Sequence, residues 1–197
     1  MNYVGIVIGL VFINNVVLDL FLGICPSMGA TGRLRTALAL GVTVTVVSAL
    51  AALLTWVVQH LILVPLGVSF LQTIVFVLAT AGLVLLLERA VTKVTRGSGV
   101  LGDLPLPLVV ANSAVFGVTL IAARADYDPL GSFLAGLGAG GGFLLALLLL
   151  TLIRERIEIE RIPRPLRGLP VTFLTLGLMA LAFAAFDKGL LANLIGR

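Results

Sequence analysis

Four side chains capable of chemistry sit close together near the start of the chain: Asn14, Asn15, Asp19 and Cys25. They interrupt or border a long apolar run. Polar groups cost several kcal/mol in hydrocarbon when they lack partners, so in a membrane setting they mark a site by default. Cys25 is the only cysteine, and it lies inside a helix-breaking Gly23-Ile24-Cys25-Pro26 step. A lone cysteine in a membrane helix is most often a small apolar packing residue. The flanking Gly23 and Pro26 point the other way, because they free backbone groups and leave a thiol at an opening. Thiolates are soft ligands for zinc or iron–sulfur clusters, but such sites need four ligands. A metal reading therefore requires a partner chain or a symmetric copy.

The other candidates are weaker. Asn14, Asn15 and Asn112 read first as hydrogen-bonding groups between helices, or as partners for backbone exposed where helices break. Asp19 is the only acidic residue deep in an apolar stretch, and it is a candidate for a proton or cation path as well as for a satisfied carboxylate at a helix break. His60, beside Gln59, reads as a solvated helix end. No phosphate-binding glycine loop, Ser-His-Asp set or paired-carboxylate site is present, which leaves transport or electron transfer.

The elements that position these residues follow from composition. The 197 residues are 60% hydrophobic and only 11% charged. A soluble domain would be about a quarter charged, so this is a membrane protein. The net charge of +4 is no nucleic-acid footprint, because the basic residues punctuate apolar runs. A spanning helix needs about 20 mostly apolar residues. Six stretches qualify: about 3–24, 36–58, 70–88, 104–123, 130–153 and 169–186. The fifth is diluted by Gly136, Gly138, Gly140, Gly141 and Gly142, which allows close helix approach in lipid. The mixed-charge segment from Arg154 to Arg161 reads as a solvated helix end, closed by Pro163 and Pro165. Ten of the 13 basic residues fall in the connections after spans 1, 3 and 5. By the positive-inside rule, both termini lie outside the cytoplasm.

The motifs then match a family. Asn14-Asn15-x-Val17-Leu18-x-x-Phe21-Leu22-Gly23-Ile24-Cys25-Pro26 resembles the first-helix signature of the A subunit of the Rnf electron transport complex, a family that includes the E subunit of the sodium-pumping NADH:quinone oxidoreductase. Asn112-Ser113-Ala114-Val115-Phe116-Gly117-Val118 resembles its fourth-helix signature. Ile153-Arg154-Glu155-Arg156, Pro163-x-Pro165-Leu166-Arg167-Gly168 and Gly177-Leu178-Met179-x-Leu181-Ala182-Phe183 resemble its C-terminal third. The resemblance covers essentially the whole chain.

That resemblance implies an all-α membrane domain over residues 1–197, with six transmembrane helices in two inverted three-helix repeats (about 1–98 and 99–197) and with helices 1 and 4 broken. It implies one component of a translocase in the bacterial inner membrane, with no activity on its own. The complex passes electrons between ferredoxin and NAD and couples this to sodium or proton translocation. The expected partners are a homologous E subunit of opposite orientation, the B, C, D and G subunits and lipid, with no nucleic acid. The expected cofactor is a [2Fe–2S] cluster shared with that E subunit, each chain giving one cysteine from helix 1 and one from helix 4. Cys25 matches the first position, and Asn14, Asn15 and Asn112 would support the cluster's surroundings. At the helix-4 position this chain has Ser113, directly after Asn112. Three outcomes stay open: a serine alkoxide ligand, a three-cysteine cluster, or a weakened or lost cluster. The rival readings are a secondary transporter and a cluster-free scaffold for redox subunits.

Overall fold

A computed structural model describes residues 3–24, 34–94, 112–159, 163 and 168–184. Among them the regular structure is entirely helical, and each of the six apolar stretches carries one main helix. The first, α1 (Tyr3–Ile8), widens into a π-helical turn at Gly9–Ile13, which closes with the Asn14 N–H on Gly9 O at 2.7 Å. Helix α2 begins at Leu34–Val58 and runs on through a second π-helical turn, Gln59–Leu63, to Val64–Leu66. After a short turn come α3 (Gln72–Val94), α4 (Ser113–Arg124), α5 (Pro129–Ile159) and α6 (Leu169–Ala184). Among the described residues two helices are long and apolar enough to cross a membrane by themselves, Leu34–Leu66 and Pro129–Ile157. The apolar parts of the others are shorter.

Several boundaries differ from the sequence reading. The first stretch is helical only to Ile13, after which residues 14–23 form non-helical turns. Asn15 causes this by giving backbone amides a side-chain acceptor that competes with the helix ladder. Asn112 is not inside a helix; it caps one. Helix α2 outruns its expected end at Val58, so Gln59 and His60 are helical residues rather than a connection. The π-helical turn precedes Pro65, whose missing N–H and bulky ring disturb the turn before it. Gly67, at φ 68°, then stops the helix, with its N–H on Val64 O and the Val68 N–H on Leu63 O. That pair of bonds is the Schellman arrangement. The charged residues from Arg154 form the last turns of α5, which ends at Ile159, as the sequence reading of a charged helix end expects.

The core is organised on α5 and α2, which pack together along most of their lengths. Helix α1 lies on the other side of α5, and α4 leans on both α2 and α5. Glycines make this possible at two separate faces. A Cβ at Gly136 would meet Ala49 Cα at 2.6 Å, and one at Gly140 would meet Thr45 Cα at 2.5 Å. On the other face, a Cβ at Gly138 would meet Val7 Cα at 3.1 Å, and one at Gly142 would meet Leu10 O at 2.9 Å. Each face is a pair of glycines four apart, the spacing that puts two small residues on one stripe. Ser48 fastens the first contact, its Oγ lying 2.9 Å from Gly136 O and 3.0 Å from Thr45 O. Phe76, Phe143, Leu40, Leu147 and Leu150 fill the remaining interior.

Candidate functional site

The break in the first stretch and the start of α4 meet in the middle of this core. Asn15 is 1% exposed and uses both ends of its amide. Its Nδ2 donates to Val11 O at 2.9 Å and to Gly142 O at 3.0 Å. Its Oδ1 accepts from the Val17 N–H at 3.0 Å and the Leu18 N–H at 3.4 Å. One side chain thus ends the helix, starts the following turns and ties both to α5. Val16, Val17 and Leu18 are driven into the core behind it. Each such bond contributes about 1 kcal/mol net, and stranding a buried partner costs more. Asn15→Leu is therefore expected to destabilise the chain by about 2 kcal/mol or more. Thermal unfolding of the purified protein in detergent would show it, and an unchanged midpoint would contradict this assignment.

Asn112 does the matching job on α4. It is 3% exposed, and its Oδ1 accepts from the Ala114 N–H at 2.9 Å, a standard N-cap. Its Nδ2 is buried and has no hydrogen-bond partner among the described residues. The next residue, Ser113, reaches across 90 positions of sequence: its Oγ accepts from the Gly23 N–H at 2.9 Å. Gly23 sits at φ 80°, and a Cβ there would lie 2.8 Å from Phe143 Cε2 and 3.1 Å from Asn112 Oδ1. Phe21, at φ 53°, is a second left-handed residue in the same segment. A left-handed residue with a side chain is strained, so Phe21 signals a backbone held by its surroundings.

The structure brings together Asn15, Gly23, Asn112 and Ser113, and it separates them from Asn14. That side chain is exposed and faces a cleft of about 740 Å³, which Asp19, Leu20, Gly9 and Tyr127 also line. Asp19 is exposed as well, with its N–H on Asn15 O at 2.8 Å. Cys25 lies outside the described residues, as does the stretch 101–111 ahead of Asn112. Among the described residues no group of three or more His, Cys, Asp or Glu gathers. Sequence reasoning did not find the role of Gly23 as the point of closest approach. Its only sequence signal was the helix-breaking step it shares with Pro26.

His60 is exposed, but it is not simply solvated. Its ring stacks on Trp56 at 4.3 Å between centroids, and its Nδ1 lies 3.1 Å from Trp56 O.

Comparison with known proteins agrees with the sequence motifs. Residues 3–190 match the family model for Rnf-Nqr membrane protein subunits. The chain is 44% identical to the A subunit of the Na(+)-translocating ferredoxin:NAD(+) oxidoreductase complex of Acetobacterium woodii, over 95% of this chain and 97% of that one. It is 40% identical to the A subunit of the ion-translocating oxidoreductase complex of Pseudoalteromonas atlantica, over 94% and 96%. The corresponding protein of Aeromonas hydrophila is 39% identical over the same shares. With its helical bundle, its apolar surface and a match along nearly its whole length, the chain belongs to the Rnf-Nqr family of membrane protein subunits.

Proposed function

We propose that the chain is the A-type membrane component of an ion-translocating ferredoxin:NAD oxidoreductase, and that it carries electrons through the membrane on a cluster held partly by Cys25. The observation that carries this reading is the 2.9 Å bond from the Gly23 N–H to Ser113 Oγ. It joins the segment leading to Cys25 with the start of α4. Cys25 is two residues beyond Gly23, so covalent geometry keeps their Cα atoms within about 7.6 Å.

The residues present fit one side of a shared [2Fe–2S] cluster. Cys25 would supply a thiolate, Ser113 a hydroxyl whose own proton can still be donated, and Asn112 Nδ2 a buried donor without a partner among the described residues. Such a donor suits a sulfur acceptor, and hydrogen bonds to sulfur tune cluster potential. When bound, the cluster supplies one-electron transfer. This chain's own part is to hold the two breaks together, to exclude water with Phe143, Val16 and Val118, and to keep the amides in place. The other ligands come from a homologous E subunit of opposite orientation, and the remaining partners are the other components of the complex and lipid. Two inverted three-helix repeats, six spans in the inner membrane and both termini on the outer side complete the proposal. The central α2–α5 pair, one helix from each half, is what such repeats would place at their shared axis. Asp19 and Asn14 on the open cleft are the candidates for an ion path.

Iron content and electron paramagnetic resonance of the purified complex test this. The natural complex is expected to give a [2Fe–2S] signal that Cys25→Ala abolishes. Ser113→Cys is expected to raise iron occupancy or shift the reduction potential. If the natural complex holds no membrane-embedded iron and Cys25→Ala transfers electrons at the normal rate, the chain is a cluster-free scaffold.

A further inference from the structure

A second polar site lies at one end of the bundle, where α2 passes through its π-helical turn and α4 gives way to α5. Trp56, Gln59, His60, Asp126, Tyr127 and Ser132 line a cavity of about 60 Å³ there. Three of these side chains hold buried polar atoms with no partner among the described residues: Trp56 Nε1, Gln59 Oε1 and Ser132 Oγ. Ser132 is only 1% exposed. An unmatched donor or acceptor away from water costs about 1–3 kcal/mol. Three around one cavity therefore point to an occupant that satisfies them together. π-helical turns are also frequent at functional sites, and Gln59 and His60 open this one.

The chemistry of the lining selects the occupant. Gln59 Oε1 can only accept, and Ser132 Oγ offers lone pairs. Asp126 carries the one formal charge among the lining residues, and it is negative. His60 Nδ1 faces the Trp56 carbonyl, so that nitrogen carries a proton and the neutral ring keeps its lone pair on Nε2. The last turn of α4 adds the partial negative charge of a helix C-terminus. Acceptors prevail, and the two unmatched donors, Trp56 Nε1–H and the Ser132 O–H, can be satisfied by ion-bound water. A space of this size takes a small ion with a few waters.

We propose that this cavity binds a hydrated monovalent metal cation of about sodium's size, held by Gln59 Oε1, Ser132 Oγ and the Asp126 carboxylate. The cavity shares Tyr127 with the cleft that reaches Asn14 and Asp19, so an ion seated here lies next to that groove. Binding stands apart from electron transfer, and it holds whether or not Cys25 ligates iron.

Trp56 is the only tryptophan in the chain, so its fluorescence reports on this cavity alone. The purified full-length chain in lipid nanodiscs is titrated with sodium chloride against choline chloride at constant ionic strength and pH. The expected result is a saturable emission change with sodium and none with choline. The sodium midpoint should rise at least about tenfold in Asp126→Asn and in Ser132→Ala. Sodium NMR line width on the same samples provides a second readout, with broadening that both variants lose. Helix content and ion-free emission matching the natural chain show that the variants are folded. An equal response to choline overturns the proposal. So does an unshifted midpoint with unchanged line broadening in both variants, which would leave the cavity holding water only.

Discussion

Gly140→Leu is expected to prevent the protein from folding to its native packing, at a cost of at least about 4 kcal/mol. Overpacking in a core ordinarily costs about 1–3 kcal/mol, because side chains rotate and helices shift. Here the first added carbon already meets backbone: Thr45 Cα at 2.5 Å, with Ser48 Oγ at 2.6 Å. Backbone cannot rotate away, so α2 and α5 must separate along their whole contact, and Ser48 loses its place against Gly136 O. In lipid the helices are held by close packing and hydrogen bonds rather than by expulsion of water, which makes separation more damaging. Gly141→Ala is the control. Its new carbon would meet only Val11 Cγ2, at 3.7 Å, which is ordinary van der Waals contact. Detergent-solubilised yield and thermal unfolding of the two variants should diverge sharply. Equal behaviour would show that the α2–α5 contact is not the organising one.

Gly23→Val is expected to destabilise the site by about 3–5 kcal/mol and to abolish any function that depends on the α1 break. Two costs add here. A left-handed backbone costs a residue with a side chain about 1–2 kcal/mol, and more when it is β-branched. The new side chain must also displace the Phe143 ring, 2.8 Å from the added carbon, together with Asn112 Oδ1 at 3.1 Å. Moving Asn112 removes the cap of α4, worth about 1 kcal/mol. The readout is twofold: a lower unfolding temperature, and loss of the iron signal in the assembled complex if Cys25 is a ligand. Gly67→Ala separates backbone strain from crowding. Gly67 sits at φ 68° with nothing near its added carbon, so it should show the strain cost alone. If Gly23→Val costs no more than Gly67→Ala, the crowding around Gly23 is unimportant.

These two residues also show how far the sequence can be read. Apolar runs of spanning length give the helices because lipid leaves the backbone no partner but itself, and this needs no tertiary information. The motif that begins at Asn14 and the pair Asn112-Ser113 likewise marked a stretch that leaves the helix, residues 14–23, and the cap of α4. The glycine run in the fifth stretch announced close approach, but a row of glycines does not say which neighbour each one admits. Only packing shows that Gly136 and Gly140 face α2 while Gly138 and Gly142 face the first helix. Asn14 and Asn15 look alike in sequence, yet one is exposed on a cleft and the other ties three elements together. The difference is register: once a helix ends, its 3.6-residue period no longer predicts direction. The Gly23–Ser113 bond, and the unmatched atoms of Trp56, Gln59 and Ser132, lie further out of reach. Local pattern fixes which residues are polar and which backbone can break. Whether those groups find partners depends on segments about 70 to 90 residues away, which meet only when the bundle closes.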